Sequence, residues 1–551
     1  LAARPRIVRA VVRRDAEDGA VPHDVPRVEV AEPIDPRFDE SMYLRAFPDI
    51  AEAVRRGSLE SGLAHFRRTG RAEARLDQVE YRALLEVYAG PAAPQVVVDA
   101  MTISPSGSTL MTGWSDDRSD KLTEISLETR ADTRHNWTAF PRLARGDVER
   151  TLEAASGHRF GFLLVAAPVG GSSAPIIDAK EANAPTFHFA SGIENQLRRV
   201  PMVASDADLR DLALAAIQST AASDPDPELI YGILDQHVGV QIAAINRLIV
   251  DQARSRLMSE HFGTSRSRYR GSVITMLRGG ADQIVPRLAL TGGGADEYEF
   301  IVVVTNPEQF EPALRAARVA EATIGLSLTI VLQPGGDPAG TGEDAALDIA
   351  RSDRLIFMSQ AVLPRLPDWA ARHSALLDGA PMEQTRLLGG LLYQSDGSLS
   401  HGGYYFDRET FLQPRSHDLP RRITAVKLKV VTHPAPSAAR HLAEARPVVG
   451  LPATFMSIDR AWFETLGGFS RHYSRAVHED IDLCLRSLKR GVPAWIHPLP
   501  MWHFERRPSL RAEPSRGGAI LNDWLLHRQW DATIVPDLLG PNPCLPCVIA
   551  A

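Results

Sequence analysis

From residue 271 onward, short Val/Ile-rich runs alternate with amphipathic stretches of helical length. This alternation constrains the fold more than any other feature. Parallel strands need crossover connections, and the usual crossover is a helix. "GSVITML" (271–277) is the first run, and "YEFIVVVTN" (298–306) is a purer second one. Such runs suit strands covered on both faces. The following "PEQFEPALRAARVAEATIG" sets Phe310, Leu314, Ala317 and Ile324 on one helix face and ends at Gly325. "LSLTIVLQ" reads as a third strand. It leads into the Gly-rich "PGGDPAGTG", a short helix and then "RLIFMSQ". The pattern predicts a doubly wound α/β domain whose ligands bind at the carboxyl ends of the strands. A Gly-rich loop before a helix can hold phosphate, but alone it is a weak signal.

This domain fills about half of the 551 residues, so others must precede it. We divide the chain into a tail (1–37), a helical module (38–92), a β-sandwich-like domain (93–200), a helical linker (201–264), the α/β domain (265–535) and a C-terminal tail (536–551). In the module, Pro48 begins a helix that places Ile50 and Val54 on one face, and Gly57 stops it. Ser58 caps a second helix, with Leu59, Leu63 and Phe66 inward and Gly70 at its end. Asp116, Asp117 and Asp120 form an acidic cluster without the Gly and distal Glu of a Ca²⁺ loop, so a polar turn is expected there.

Hydrophobic content of 44% and charged content of 23% fit a soluble globular protein. A net charge of −7 argues against a general nucleic-acid binder. The longest apolar stretch, "FGFLLVAAPVGG", is far short of the roughly 18 residues that span a bilayer. The three cysteines are Cys484, on an apolar helix face, and Cys544 and Cys547, half a zinc site at best. So few cysteines fit a reducing compartment, and a cytoplasmic location is expected.

"HEDIDLCLR" (478–486) brings Glu479, Asp480 and Asp482 together before an apolar stripe of Ile481, Cys484, Leu485 and Leu488. Taken alone, Asp480 reads as an N-cap, a role that contributes about 1 kcal/mol. A carboxylate fixed at a helix N-terminus also stays ionised and can act as a general base.

Six segments in order resemble bacterial family 2 glycosyltransferases, inverting enzymes of the GT-A fold. They are "MSQAVLP", "SDGSLSHGGYYF", "FMSIDRAWFETLGGF", "HEDIDLCLRSLKRG", "MWHFERRPS" and "LNDWLLHRQW", and the likeness covers about 265–535. It implies transfer of a sugar from a nucleotide-sugar donor to a glycan or other hydroxyl acceptor, in a polysaccharide or surface-glycan pathway. By this resemblance Asp480 is the catalytic base, Glu479 orients the acceptor and Asp482 lies on the acceptor side. His503 reaches the diphosphate or a metal. Trp502 and Trp530 can stack on sugars or belong to the core, and His401 orders its hairpin.

The donor side departs from the family. Thr305 and Asn306 stand where relatives carry acidic residues. Ser359, Gln360 and Ala361 replace the stretch whose Asp binds Mg²⁺ or Mn²⁺, and those ions favour carboxylate ligands. Met276 and Arg278 stand where relatives often have Pro and Tyr. Arg278 or Arg351 can stabilise a diphosphate without a metal. The alternative reading is an inactive, glycosyltransferase-like protein that binds sugar or acts as a scaffold. In either case the front domains can bind acceptor or a protein partner.

Overall fold

The computed structural model describes residues within 40–70, 83–152, 159–168, 187–190, 203–277, 279–333, 346–413, 421–433, 444–474, 477–504, 514–531 and 538–540. Breaks inside these ranges fall at 41–42, 45–46, 90–94, 117–121, 129–133, 138–140 and 224–226. Asp117, Asp120, Arg278, the Gly-rich loop, Cys544 and Cys547 lie outside the described residues.

The helix Pro48–Arg55 starts on its proline, and Gly57 beyond it takes φ 74°. The second helix, Gly62–His65, is capped by Ser61, which accepts from Ala64 N, and not by Ser58. The Ser58 hydroxyl donates instead to the Ala53 carbonyl. Both Glu40 oxygens take up N–H groups at this helix start, from Gly62 (2.6 Å) and Leu63 (2.8 Å).

Eight strands follow: β1 (Ala83–Ala89), β2 (Gln95–Ile103), β3 (Thr109–Asp116), β4 (Leu122–Glu128), β5 (Arg134–Trp137), β6 (Arg142–Leu143), β7 (Gly161–Ala166) and β8 (Phe187–Ala190). They form two four-stranded sheets, β5-β4-β1-β8 and β2-β3-β7-β6. β1 falls within the stretch assigned above to the helical module, so that boundary runs too late.

The second sheet packs on the helices Asp206–Ser223, Pro227–Ile233 and Gly239–Arg254. Leu110, Leu163 and Val165 share one core with Leu214, Ile242, Ile245, Leu521 and Trp524. The segment expected as a linker is therefore a packed layer. Its partner on the far side is the helix Pro514–Trp530 from the end of the α/β domain. Gly239 lets that helix approach closely, since a Cβ there would lie 2.5 Å from the Trp524 ring.

The α/β domain is built on an 11-stranded mixed sheet. Its strands are β9 (Met258–Phe262), β10 (Gly271–Leu277), β11 (Tyr298–Val304), β12 (Leu328–Leu332), β13 (Arg354–Met358), β14 (Val362–Pro364), β15 (Leu387–Tyr393), β16 (Leu399–His401), β19 (Arg446–Val448), β20 (Phe455–Asp459) and β21 (Ala494–His503), while β17 (Tyr404–Gln413) and β18 (Arg421–Val430) form a separate ribbon. β9 pairs antiparallel with β12, so the sheet starts before the boundary at 265. The parallel strands lie in the order β12-β11-β10-β13, which makes β10/β13 a topological switch point. Alternate side chains feed two cores. Ile274, Ile301 and Val303 face Phe463, Ile481 and Leu485, while Val273, Val302 and Val304 face Ile284, Leu314 and Trp369. Gly325 (φ 75°) and Gly467 (φ 84°) end their helices as the sequence predicts.

Trp524→Ala should lower the unfolding free energy by about 3–5 kcal/mol in a urea titration. A loss below about 1 kcal/mol would mean that the front sheet and the α/β domain do not depend on this shared core.

Candidate functional site

The site is built from the switch point outward. Two loops leave the carboxyl ends of β10 and β13, and they are bonded across the crevice: Gly279 N donates to Gln360 Oε1 (3.1 Å). The Gln360 carboxamide also donates to Gln283 Oε1. Ala281 N donates to Gln309 Oε1 (3.1 Å), which ties in the turn after β11. Thr305 and Asn306 follow β11 directly. Asn306 is spent locally, because its side chain accepts from Glu308 N (3.0 Å) and caps the turn Pro307–Gln309.

Below the 358–362 loop lies Arg287. Its guanidinium donates to the carbonyls of Ser359 (2.8 Å), Gln360 (2.6 Å), Val362 (2.9 Å) and Met358 (3.4 Å). Burial pushes its pKa down to about 10. The cation thus shapes the loop from beneath. Arg287, Gln283, Thr275 and Gln360 also border a small cavity under the switch point. A signal for Arg287 existed in the sequence: it is a lone cation beside Ile284 and Leu288 on an apolar helix, and a buried cation needs acceptors.

The same loop leads to Asp480. Ser359 N donates to Thr454 O (2.8 Å), and the adjacent Ala453 N donates to Asp480 Oδ2 (3.0 Å). Tyr404 OH donates to that oxygen at 3.3 Å, and Ile481 N donates to Oδ1 at 2.8 Å. Asp480 is 8% exposed, so little of it reaches the surface. Burial raises its pKa above the ordinary carboxylate value, against the hydrogen bonds of Ala453 and Ile481. Glu479 is buried beside it. On the far side, Phe504 N donates to Ala361 O (2.9 Å), which sets His503 opposite Val362. His503 Nδ1 lies 3.3 Å from Ser400 Oγ.

The helix that carries Asp480, Glu479–Lys489, is entered through His478 at φ 75°. This is the one non-glycine residue with positive φ among the described residues. Its Nε2 lies 2.7 Å from Asp523 Oδ1 of the helix Pro514–Trp530. Backbone of this kind costs energy and persists where surrounding contacts enforce it.

The geometry places the remaining candidates away from the roles expected of them or in the core. Asp482 has no exposure, pairs with Arg486 (2.8 Å) and accepts from Trp530 Nε1 (3.0 Å), so it cannot reach an acceptor. Trp530 is core for the same reason. Arg351 precedes β13, bonded through Nη1 to Ser265 (2.6 Å), at the opposite end of the strand from Gln360. Trp502 is half-buried with the Arg365 guanidinium 4.5 Å from its ring centre, which occupies one of its faces. Asp116 belongs to β3 and not to a polar turn. Cys484 is buried, and burial pushes its thiol up to about 12. Tyr404 lies in the segment "SDGSLSHGGYYF" but the resemblance gives it no role there, and Ala453 lies in none of the quoted segments; both reach Asp480 only through the tertiary fold.

A divalent cation of the Mg²⁺ or Mn²⁺ type does not fit the 359–361 loop. The loop supplies no carboxylate, and the Gln360 carboxamide is engaged by Gly279 and Gln283. Among the described residues, no group of three or more His, Cys, Asp or Glu side chains is placed to hold a metal, and no helix is long and apolar enough to cross a membrane. A wider cleft lies at the amino ends of β10 and β13, lined by Arg266, Arg268, Arg270, Asp353, Arg354 and Asp378.

No protein-family model matches the chain, and no curated protein does. Among solved structures it is similar to a mannosyltransferase, PcManGT from Pyrobaculum calidifontis in complex with GDP-Man and Mn²⁺, at 15% identity and TM-score 0.34, covering 62% of this chain and 80% of that one. It is also similar to GalNAc-T7 with UDP, GalNAc and Mn²⁺, at 13% identity and TM-score 0.30, covering 46% and 47%. A mycobacterial protein matches at 14% identity and TM-score 0.29, covering 51% and 77%. Likeness of this degree carries no argument about the chemistry of this chain.

The stability of Asp480→Asn relative to the native chain should rise with pH. A carboxyl whose folded pKa is raised binds its proton more tightly when folded, so its contribution turns unfavourable as pH rises from the unfolded value of about 3.9 through the folded one. At every pH the amide nitrogen of Asn faces one of the N–H groups of Ala453 and Ile481, a constant cost that the pH dependence is read above. The difference in melting temperature should therefore favour Asn more at about pH 7 than at about pH 4, and a difference that is flat or reversed over this range would contradict this.

Proposed function

We propose that the chain is an inverting glycosyltransferase that moves a sugar from a nucleotide-sugar donor to a hydroxyl of a glycan or other acceptor, with Asp480 as general base. One observation carries the reading: the crevice at the carboxyl ends of β10 and β13 is joined by two successive hydrogen bonds, Ser359 to Thr454 and Ala453 to Asp480, to a buried carboxylate. Ligands of doubly wound sheets bind in such crevices. The ordered motifs noted in the sequence supply the class of ligand.

In this reading, the acceptor hydroxyl oxygen attacks the anomeric carbon from the face opposite the leaving group. Its proton passes to an Asp480 oxygen as the new C–O bond forms. The bond to the diphosphate breaks, and the nucleoside diphosphate departs with the electron pair. Burial suits Asp480 to this task, because it moves the carboxyl toward the working pH. Glu479 orients the acceptor. Thr305, Asn306, Ser359 and Gln360 border the donor, and His503 approaches the diphosphate from β21. No step requires a metal held by the 359–361 loop. We take the reaction to be cytoplasmic and part of polysaccharide assembly, with the front sheets available to a glycan or a protein partner.

The rival reading, a sugar-binding protein without turnover, is favoured by the missing carboxylates at 359–361. Calorimetry with common nucleotide sugars, with and without Mn²⁺, together with a transfer assay, separates the two. Asp480→Asn should keep donor binding and lose about 10²- to 10⁴-fold in turnover. No binding by any donor, or full turnover without the carboxylate, would overturn the enzyme reading.

A further inference from the structure

β16 passes through Gly402 and Gly403 into β17, and Gly403 takes φ 105°. A side chain at Gly403 would meet Val448, 2.8 Å from its Cβ position, so only glycine fits this corner. The Gly403 N–H donates to His401 Nδ1 (3.1 Å). That bond makes Nδ1 the acceptor and leaves the proton on Nε2. Burial lowers the His401 pKa to about 3, so the ring is neutral at any working pH.

His401 meets Tyr404 edge-on, with centroids 4.6 Å apart and planes at 89°. The Tyr404 backbone N–H is bonded to Gly450 O (2.9 Å), three residues before Ala453. The tyrosine is therefore fixed at its backbone by the segment that binds Asp480 and at its ring by a neutral imidazole. Its hydroxyl donates to Asp480 Oδ2, the oxygen that also takes the Ala453 N–H. Burial holds the phenol well above its usual range, so it remains a donor.

We propose that Tyr404 is a positioning residue: its hydroxyl, steadied by His401, holds the Asp480 carboxylate in the one orientation from which it can meet an acceptor hydroxyl. The inference rests on the assignment of Asp480 as base and adds the group that keeps it in place. Other titratable groups also face this carboxylate. His478, Glu479 and Cys484 come from its own helix and its cap, and Tyr473 from the preceding segment. Only the Tyr404 hydroxyl and the backbone N–H groups of Ala453 and Ile481 donate a hydrogen bond to it among the described residues.

Tyr404→Phe in the full chain removes the hydroxyl and keeps the ring against His401. A hydrogen bond to a carboxylate favours its ionised form, so losing it should shift the acid limb of the kcat/KM profile upward by about one pH unit. Turnover should fall by about tenfold while donor affinity stays unchanged. A second arm needs no activity: the stability change caused by Asp480→Asn is followed against pH with and without Tyr404→Phe. The midpoint of that curve should rise in the Tyr404→Phe chain. A midpoint that does not move overturns the proposal. If the midpoint moves but no donor is ever turned over, the Tyr404–Asp480 hydrogen bond stands, while the transferase reading and with it the role toward an acceptor are overturned.

Discussion

Three carboxylates enter the interior in the first turn of one helix, and each needs a donor to remain there. Asp482 has a guanidinium and an indole N–H. Asp480 has two backbone N–H groups and a phenol. Glu479 precedes both and is buried as well. The helix N-terminus adds a favourable field for all three. The donors come from β17, from the loop before β20 and from the helix Pro514–Trp530, so the carboxylates fix where these elements meet. A buried pair such as Asp482–Arg486 adds little net stability against an apolar equivalent. Its effect is geometric: Asp482 is tied to Trp530 and Arg486 to the Leu466 carbonyl, which fixes the helix against two neighbouring elements.

The helix Pro514–Trp530 connects this arrangement to the front of the chain. Leu521 and Trp524 belong to the core under β3 and β7, whereas Leu526 and Trp530 belong to the core around Ile481. Asn522 accepts from Ser474 N (2.8 Å), and Asp523 holds the strained His478. Asn246 of the Gly239–Arg254 helix reaches the Arg471 carbonyl at 3.0 Å. The entry to the Asp480 helix is thus held from two sides by elements that also carry the front sheet.

Much of the α/β domain was legible in the sequence. Its strands are continuous Val/Ile runs, and its helices end on Gly325 and Gly467, where a left-handed residue is needed. The stripe of Ile481, Cys484, Leu485 and Leu488 on the Glu479–Lys489 helix is buried as its spacing implies. What escaped was set by distant partners. β9 has an exposed start and no strong period, yet it becomes a strand by pairing with β12. Asp482 is expected on the acceptor side, but Trp530, 48 residues away, supplies its donor inside the core. Arg351 could not be placed at either end of β13 from composition alone. Ser58 is expected to cap the second helix, but Ser61 does so, and Glu40 from a preceding segment supplies two further acceptors at the Gly62 start.

The proposed function requires that a sugar nucleotide lie across the β10/β13 crevice with its reactive carbon turned toward Asp480. Crystals grown with a non-hydrolysable nucleotide sugar test this most directly. The account predicts base and ribose beside Asn306 and Gly279, diphosphate over the 359–361 loop, and the sugar on the Asp480 side. A nucleotide in the arginine-lined cleft at the other end of the sheet, or one whose sugar points away from Asp480, would contradict it.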